Sequence, residues 1–412
     1  MSFTPQLIFN LIIAILTINF LVDKYLDFLN AKHFNDEIPK ELEDVYDEER
    51  YIKSQQYKKE NFRFATLIST ISFIATIAFF YLDGFAYVDS IARSISDNDI
   101  VIALLFFGII LLGSDIITTP LSYYQTFVIE EKYGFNKSTR KLFFMDKFKG
   151  WILMVIIGGG VLALIVWFYQ LTGKNFWIYT WVFIALFSIF MLLFYSTLIV
   201  PLFNKQVPLE DGELKTKLET FANKVGFNLD KIFVIDGSKR STKANAYFTG
   251  FGQKKRIVLY DTLINDLETD EIVAVLAHEV GHYKKKHVIF NMITSIITTG
   301  ITLYILSLFI DNATLATALS VEIPSFHISL IAFGVLYAPI SELTGLLMNY
   351  FSRKFEYEAD DFAKKYHNAT NLISSLKKLS KNNLSNLTPH KSYVFVHYSH
   401  PTLLQRVKNL SD

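Results

Sequence analysis

Cysteine is absent from the 412-residue chain. That excludes a disulfide framework and thiol chemistry, so any bound metal must rest on His, Asp or Glu. An excess of basic charge is missing as well. The formal net charge is +1, which leaves no basic surface to suggest nucleic acid as a partner. No convincing internal repeat and no low-complexity tract interrupts the chain.

What the chain has in excess is apolar surface. It is 51% hydrophobic and 16% aromatic, and the excess is gathered into long blocks, the signature of a membrane protein. Seven segments are long and apolar enough to cross about 30 Å of hydrocarbon as helices: Pro5–Val22, Phe64–Leu82, Ile100–Ile117, Trp151–Leu171, Phe176–Val200, Val288–Ile310 and His327–Tyr350. The first lacks the basic flank and small-residue cleavage site of a signal peptide, so it reads as a retained span.

The connecting segments alternate in charge. Long Lys/Arg-rich stretches follow spans one, three, five and seven, and short stretches with almost no basic residue follow spans two, four and six. The positive-inside rule places the basic group in the cytoplasm and the N-terminus outside. Within Asn204–His287, Lys231–Asp236 and Arg256–Asp261 read as strands, with a third short strand and a glycine turn over Asn245–Gly252. The acidic run Asp36–Arg50 reads as a solvated helix face.

One stretch carries chemistry. His278-Glu279-Val280-Gly281-His282 fits H-E-x-x-H. On a helix, histidines four apart share a face and can share a tetrahedral metal, while Glu279 is placed to take a proton from a metal-bound water. Thr269 reads as the cap of this helix, with Asp270 and Glu271 in its first turn. Ile272, Val273, Val275, Leu276 and Val280 make the helix apolar over most of its surface, and buried histidines need partners. Satisfied core histidines are the bland alternative.

Spans six and seven form a hairpin, which returns residues just after Tyr350 to the neighbourhood of His287. There Glu356 and Asp360 stand four apart on one helix face, whereas Glu358 points away. Glu356 is assigned as third ligand and Asp360 as the orienter of a ligand histidine. A solvated acidic helix is the alternative. His287 falls on roughly the opposite face of the same helix from His278, and reads as structural or interfacial. His33, His327, His367 and His390 show no partner pattern. Asp115 and Glu342 lie within or at the ends of spans, where a charge needs a polar cavity, a partner or a route to water.

These residues, with several others, resemble the CAAX prenyl protease 1 family, integral-membrane zinc peptidases of the gluzincin type. The resemblance is carried by Thr126–Lys137 (TFVIEEKYGFNK), Pro201–Lys205, Gly237–Ser241, Asn245–Phe248, Arg256–Leu259, Ser352–Asp360 (SRKFEYEAD), Tyr398–Pro401 and, in the first basic loop, Lys53–Tyr57. It implies a mainly α membrane protein of about seven transmembrane helices enclosing an intramembrane chamber, with a cytoplasmic zincin-like α+β catalytic domain. It implies one Zn2+ per chain on His278, His282 and Glu356, with Glu279 as general base. It also brings in His400 and Arg406 as residues holding substrate or oxyanion, and Asn245, Ala246 and Tyr247 on an edge strand that aligns the peptide.

The expected organisation is then residues 1–203 for spans one to five, 204–287 for the first part of the catalytic domain, 288–350 for spans six and seven, and 351–412 for its second part. The implied reaction removes the last three residues from a C-terminal Cys-a-a-X sequence bearing a prenyl group. Three other readings stay open: a quality-control peptidase of the same zinc class, a seven-helix transporter or receptor with a fortuitous metal site, and an inactive scaffold that keeps zinc only for structure, against which the intact Glu279 argues. Residue usage rich in Asn, Lys, Ile and Phe favours a bacterial inner membrane, with the endoplasmic reticulum the location in a eukaryote.

Overall fold

A computed structural model describes residues 4–227, 229, 231–249 and 256–412. Six helical stretches are long and apolar enough to cross a bilayer: Pro5–Lys32, Glu48–Tyr81, Asp99–Tyr133, Arg140–Phe203, His287–Phe309 and Phe326–Tyr366. Seven were expected. The difference lies in Arg140–Phe203, a run of 64 residues that carries two of the expected apolar segments. A straight helix of that length would extend about 96 Å. Instead Gly173, at φ +52°, opens the turn Gly173–Asn175, and Phe168 before the turn meets Tyr179 and Phe183 after it.

The helices of this bundle bury little of one another. In the most apolar part of each stretch only 6–17% of residues are buried, an exposure of apolar surface that suits lipid rather than water. Charges inside the bundle find partners. Asp115 accepts from Lys147 Nζ and Trp151 Nε1, each at 2.7 Å. His327, which showed no partner in the sequence, is buried with its Nε2 2.7 Å from Asp89 Oδ1. Glu342 is exposed on its helix.

Outside the bundle sits a four-stranded sheet in the order β1-β2-β4-β3. Its strands are β1 (Gln206–Pro208), β2 (Lys231–Ile235), β3 (Ala246–Thr249) and β4 (Arg256–Tyr260). β2 and β4 run parallel, β1 and β3 are antiparallel to their neighbours, and β3 forms one edge. β1 was not foreseen; three residues are too few to show an alternating pattern. The glycine turn expected over Gly250–Gly252 lies outside the described residues.

The motif helix, Thr269–Lys284, packs on this sheet. Ile272, Val273, Leu276 and Val280 share a core with Ile232, Ile257 and Leu259. Its cap is Glu268, not Thr269. Glu268 accepts from the third helical residue while Glu271 reaches back to the Glu268 N–H at 2.8 Å. The last apolar segment does not stop at Tyr350 but continues as one helix, Phe326–Tyr366. Neither Pro339 nor Gly345 breaks it, so the membrane span carries Glu356 and Asp360 out on a continuous helix.

The two helices cross at Gly281. A β-carbon there would lie 3.0 Å from the Ala359 α-carbon and 3.1 Å from its carbonyl oxygen. Asp36–Arg50 also departs from expectation. Up to Asp47 it is an irregular strap with one short 3-10 turn, Lys40–Leu42, rather than a helix face, and a helix begins only at Glu48. Leu42, Val45 and Tyr46 bury themselves against Ile129, Tyr133, Leu384, Leu387 and Val407, and Glu41 and Asp44 pair with Lys408 and Lys377.

Gly281→Val should force the helices apart against backbone atoms. We expect a loss of about 1–3 kcal/mol, read as a lower thermal midpoint in detergent; an unchanged midpoint would mean that the crossing is not close.

Candidate active site

Because the helices cross so closely, two i, i+4 pairs face each other: His278 and His282 on one, Glu356 and Asp360 on the other. The His278 and His282 Nε2 atoms lie 3.1 Å apart. Glu356 offers Oε2 at 3.4 Å from His278 Nε2 and Oε1 at 3.2 Å from His282 Nε2. Two nitrogens bound tetrahedrally at 2.0–2.1 Å would stand about 3.3 Å apart, so these separations suit one small cation. His278, His282 and Glu356 form a three-donor cluster within 4.8 Å. Glu356 is buried, and among the described residues its Oε2 has no hydrogen-bond donor. A buried carboxylate oxygen without a donor is costly unless a cation satisfies it.

Both histidines turn Nε2 inward and Nδ1 outward. His278 Nδ1 lies 2.8 Å from Asp360 Oδ1. Asp360 in turn is gripped by Arg406 from the last helix, Leu403–Ser411, through Nε at 2.9 Å and Nη2 at 2.6 Å. Arg406 is thus largely buried and engaged, with Nη1 3.5 Å from Glu356 Oε2, while still lining the cavity. His400 is the opposite case: its side chain is 64% exposed, with Nε2 3.4 Å from Glu356 Oε1. The His278 imidazole is pushed up to about 9. Burial and the Arg406 charge lower it, but the Asp360 and Glu356 carboxylates beside the ring outweigh both. Carboxylates that hold an extra proton on a buried imidazole form a site with an appetite for positive charge.

The cluster opens into a cavity of about 320 Å³. Glu279 lines it beside the histidines, and Asn245 lines it at the start of the β3 edge. For Ala246 and Tyr247 the backbone lies in β3, paired with Leu259 and Val258. The remaining wall is aliphatic: Leu372, Leu376 and Leu379, at helical spacing on Ala369–Asn382, with Val275 and Leu263. That wall is fixed, since Lys378 and Ser374 on its helix both bind Glu271 of the motif helix.

Several motifs that carried the resemblance turn out to hold the edge strand in place. Lys243, two residues before Asn245, donates to Glu130 at 2.9 Å and to the Tyr57 hydroxyl at 3.0 Å, and Tyr57 also donates to Glu130. Asn136 and Ser241 form an isolated antiparallel bridge, and Arg240 clasps Asp146 at 2.7 and 3.0 Å.

His287 corrects the expectation of an opposite face. The motif helix ends at Lys284, Lys286 adopts φ +62°, and a new helix begins at His287. Its ring is thereby turned back onto His282. Glu358, expected to point away, meets His287 from the far side. No glycine or asparagine marks the left-handed residue, so the break leaves no local signal. The leucine wall was equally silent, because a leucine stripe on a helix reads as ordinary core.

Two family models match the chain, one described as CAAX prenyl protease N-terminal, five membrane helices, over residues 27–205, and one as peptidase family M48 over residues 208–412. The CAAX prenyl protease 1 of Saccharomyces cerevisiae is 36% identical, covering 98% of this chain and 96% of its own. An Arabidopsis thaliana homologue is also 36% identical, covering 96% of both chains. The chain belongs to the CAAX prenyl protease 1 family. A crystal structure of S. mikatae Ste24p superposes with a TM-score of 0.93 at 35% identity, covering all of both chains. The protein is therefore a multi-pass membrane metalloprotease of family M48, and a transporter or receptor reading falls away.

A cation binding here must displace the His278 proton, so metal affinity should rise with pH up to about 9. Competition with a chelator should show Zn2+ binding to the metal-free protein tighten about tenfold from pH 7 to pH 8. A pH-independent affinity would mean that no ligand proton is released.

Proposed function

We propose that the protein is a zinc endopeptidase that removes the C-terminal tripeptide from prenylated Cys-a-a-X proteins, with its catalytic domain on the cytoplasmic side of the membrane. The observation that carries the reading is the convergence of His278, His282 and Glu356 beside Glu279 at the end of a membrane-crossing helix. Such a position suits a substrate whose lipid anchors it in the bilayer while its peptide end lies in water. The basic loops flanking the spans support the cytoplasmic orientation. The hairpin at Gly173 supports a count of seven crossings, and the low mutual burial of the spans supports a bundle with interior space.

His278, His282 and Glu356 would hold the zinc, which when bound polarises the scissile carbonyl and lowers the pKa of water toward ~7. Glu279 accepts the proton of the attacking water and returns it to the leaving amine. His400, exposed at the cavity with Nε2 beside Glu356, is placed to meet the oxyanion. Arg406 holds Asp360, and so the orientation of His278, through Nε and Nη2, while Nη1 faces Glu356 at the cavity. The β3 edge aligns an extended peptide by main-chain pairing, which tolerates varied side chains. The wall of Leu372, Leu376 and Leu379 would receive an aliphatic side chain of the Cys-a-a-X sequence.

The detergent-purified protein, given a farnesylated Cys-a-a-X peptide and its unprenylated twin, should release the tripeptide selectively from the first. Glu279→Gln should keep its zinc and lose about 10²–10⁴-fold in rate. Equal, Glu279-dependent cleavage of both peptides would instead indicate a quality-control peptidase.

A further inference from the structure

His282 presents its two nitrogens to two different neighbourhoods. Nε2 faces the donor cluster, 3.2 Å from Glu356 Oε1 and 3.1 Å from His278 Nε2. Nδ1 faces away from it, 3.0 Å from His287 Nδ1. On the other side of the His287 ring, Nε2 stands 3.2 Å from Glu358 Oε2. His287 is 4% exposed and lies flat on Phe355, with centroids 4.1 Å apart and planes 11° from parallel. Packing holds the plane of its ring independently of its hydrogen bonds.

The protons in this row can be assigned. If His282 Nε2 offers its lone pair to a metal, the neutral imidazole carries its proton on Nδ1. The group facing that N–H is His287 Nδ1, which must then be an acceptor. A neutral His287 with an acceptor at Nδ1 carries its own proton on Nε2, where the Glu358 carboxylate accepts it. Each contact then has one donor and one acceptor. The opposite tautomer of His282 would remove the lone pair from the cluster and leave His287 Nδ1 as the donor, with a bare Nε2 against a carboxylate.

We infer that His287 and Glu358 are a positioning pair that fixes the tautomer and ring orientation of His282, as Asp360 and Arg406 do for His278. The left-handed conformation at Lys286 is what makes this possible. It ends the motif helix and brings His287 onto His282, the residue five positions earlier. The two ligand histidines are backed unequally: His278 by a buried carboxylate directly, His282 by a neutral imidazole with a partly exposed carboxylate beyond it. The inference rests on the reading of His278, His282 and Glu356 as metal ligands.

The test compares wild type, His287→Phe, His287→Gln, Glu358→Ala and His278→Ala as full-length proteins in detergent. The readouts are the Zn2+ dissociation constant by chelator competition and the thermal midpoint of each metal-free protein. Phe keeps the stack on Phe355 but cannot accept from His282. It should weaken zinc binding by about 10–100-fold at a near-normal metal-free midpoint. Gln, whose carbonyl accepts and whose amide donates, should recover most of that loss. Glu358 is exposed enough to tolerate Ala, so that variant reports even if His287→Phe fails to fold, and it should bind zinc several-fold more weakly. Wild-type affinity in His287→Phe or Glu358→Ala, or a His287→Gln no better than Phe, would overturn the inference while leaving a zinc-free His278→Ala intact. Full zinc retention in His278→Ala would instead overturn the ligand reading, and the positioning role with it.

Discussion

The crossing of the motif helix with the last membrane helix at Gly281 and Ala359 is the contact on which the site depends. With a hydrogen in place of a side chain, the two backbones approach until His278 and His282 meet Glu356 and Asp360 as facing pairs. None of these four groups is stable alone in a buried setting, since each would lose hydration without recovering a partner. Together they leave the buried Glu356 Oε2 without a hydrogen-bond donor among the described residues, with Arg406 Nη1 3.5 Å away. The chemistry follows from a packing constraint.

The same crossing ties catalysis to the bilayer. Phe326–Tyr366 is both a membrane span and the carrier of Glu356, so the donor cluster sits at a fixed height relative to the bundle. The opposite wall of the cavity is anchored just as firmly. Lys243 pins the approach to the β3 edge onto Glu130 and Tyr57 of the membrane part. The strap around Leu42 and Tyr46 binds the tail of the chain to the first basic loop. The sheet with its motif helix and the membrane helices are therefore interleaved rather than joined by a linker.

Much of this was legible in the residues. Long apolar runs, the alternation of basic loops, and two i, i+4 pairs brought together by a hairpin were enough to point to His278, His282, Glu356 and Asp360. What escaped depends on single backbone torsions or on packing that has no periodic trace. The turn at Gly173 sits inside one continuous helical run. Lys286 turns left-handed without a residue that advertises it. Leu376 and Leu379 read as core until the cavity beside them is seen, and the Asp36–Arg50 strap is acidic on its outer side only because its apolar residues are turned inward.

Zinc-edge anomalous scattering from crystals of the full-length protein tests the central claim most directly. The predicted result is one peak per chain, about 2.0–2.2 Å from His278 Nε2, His282 Nε2 and a Glu356 oxygen. Absence of a peak there in zinc-replete protein, or a peak on other residues, would contradict it.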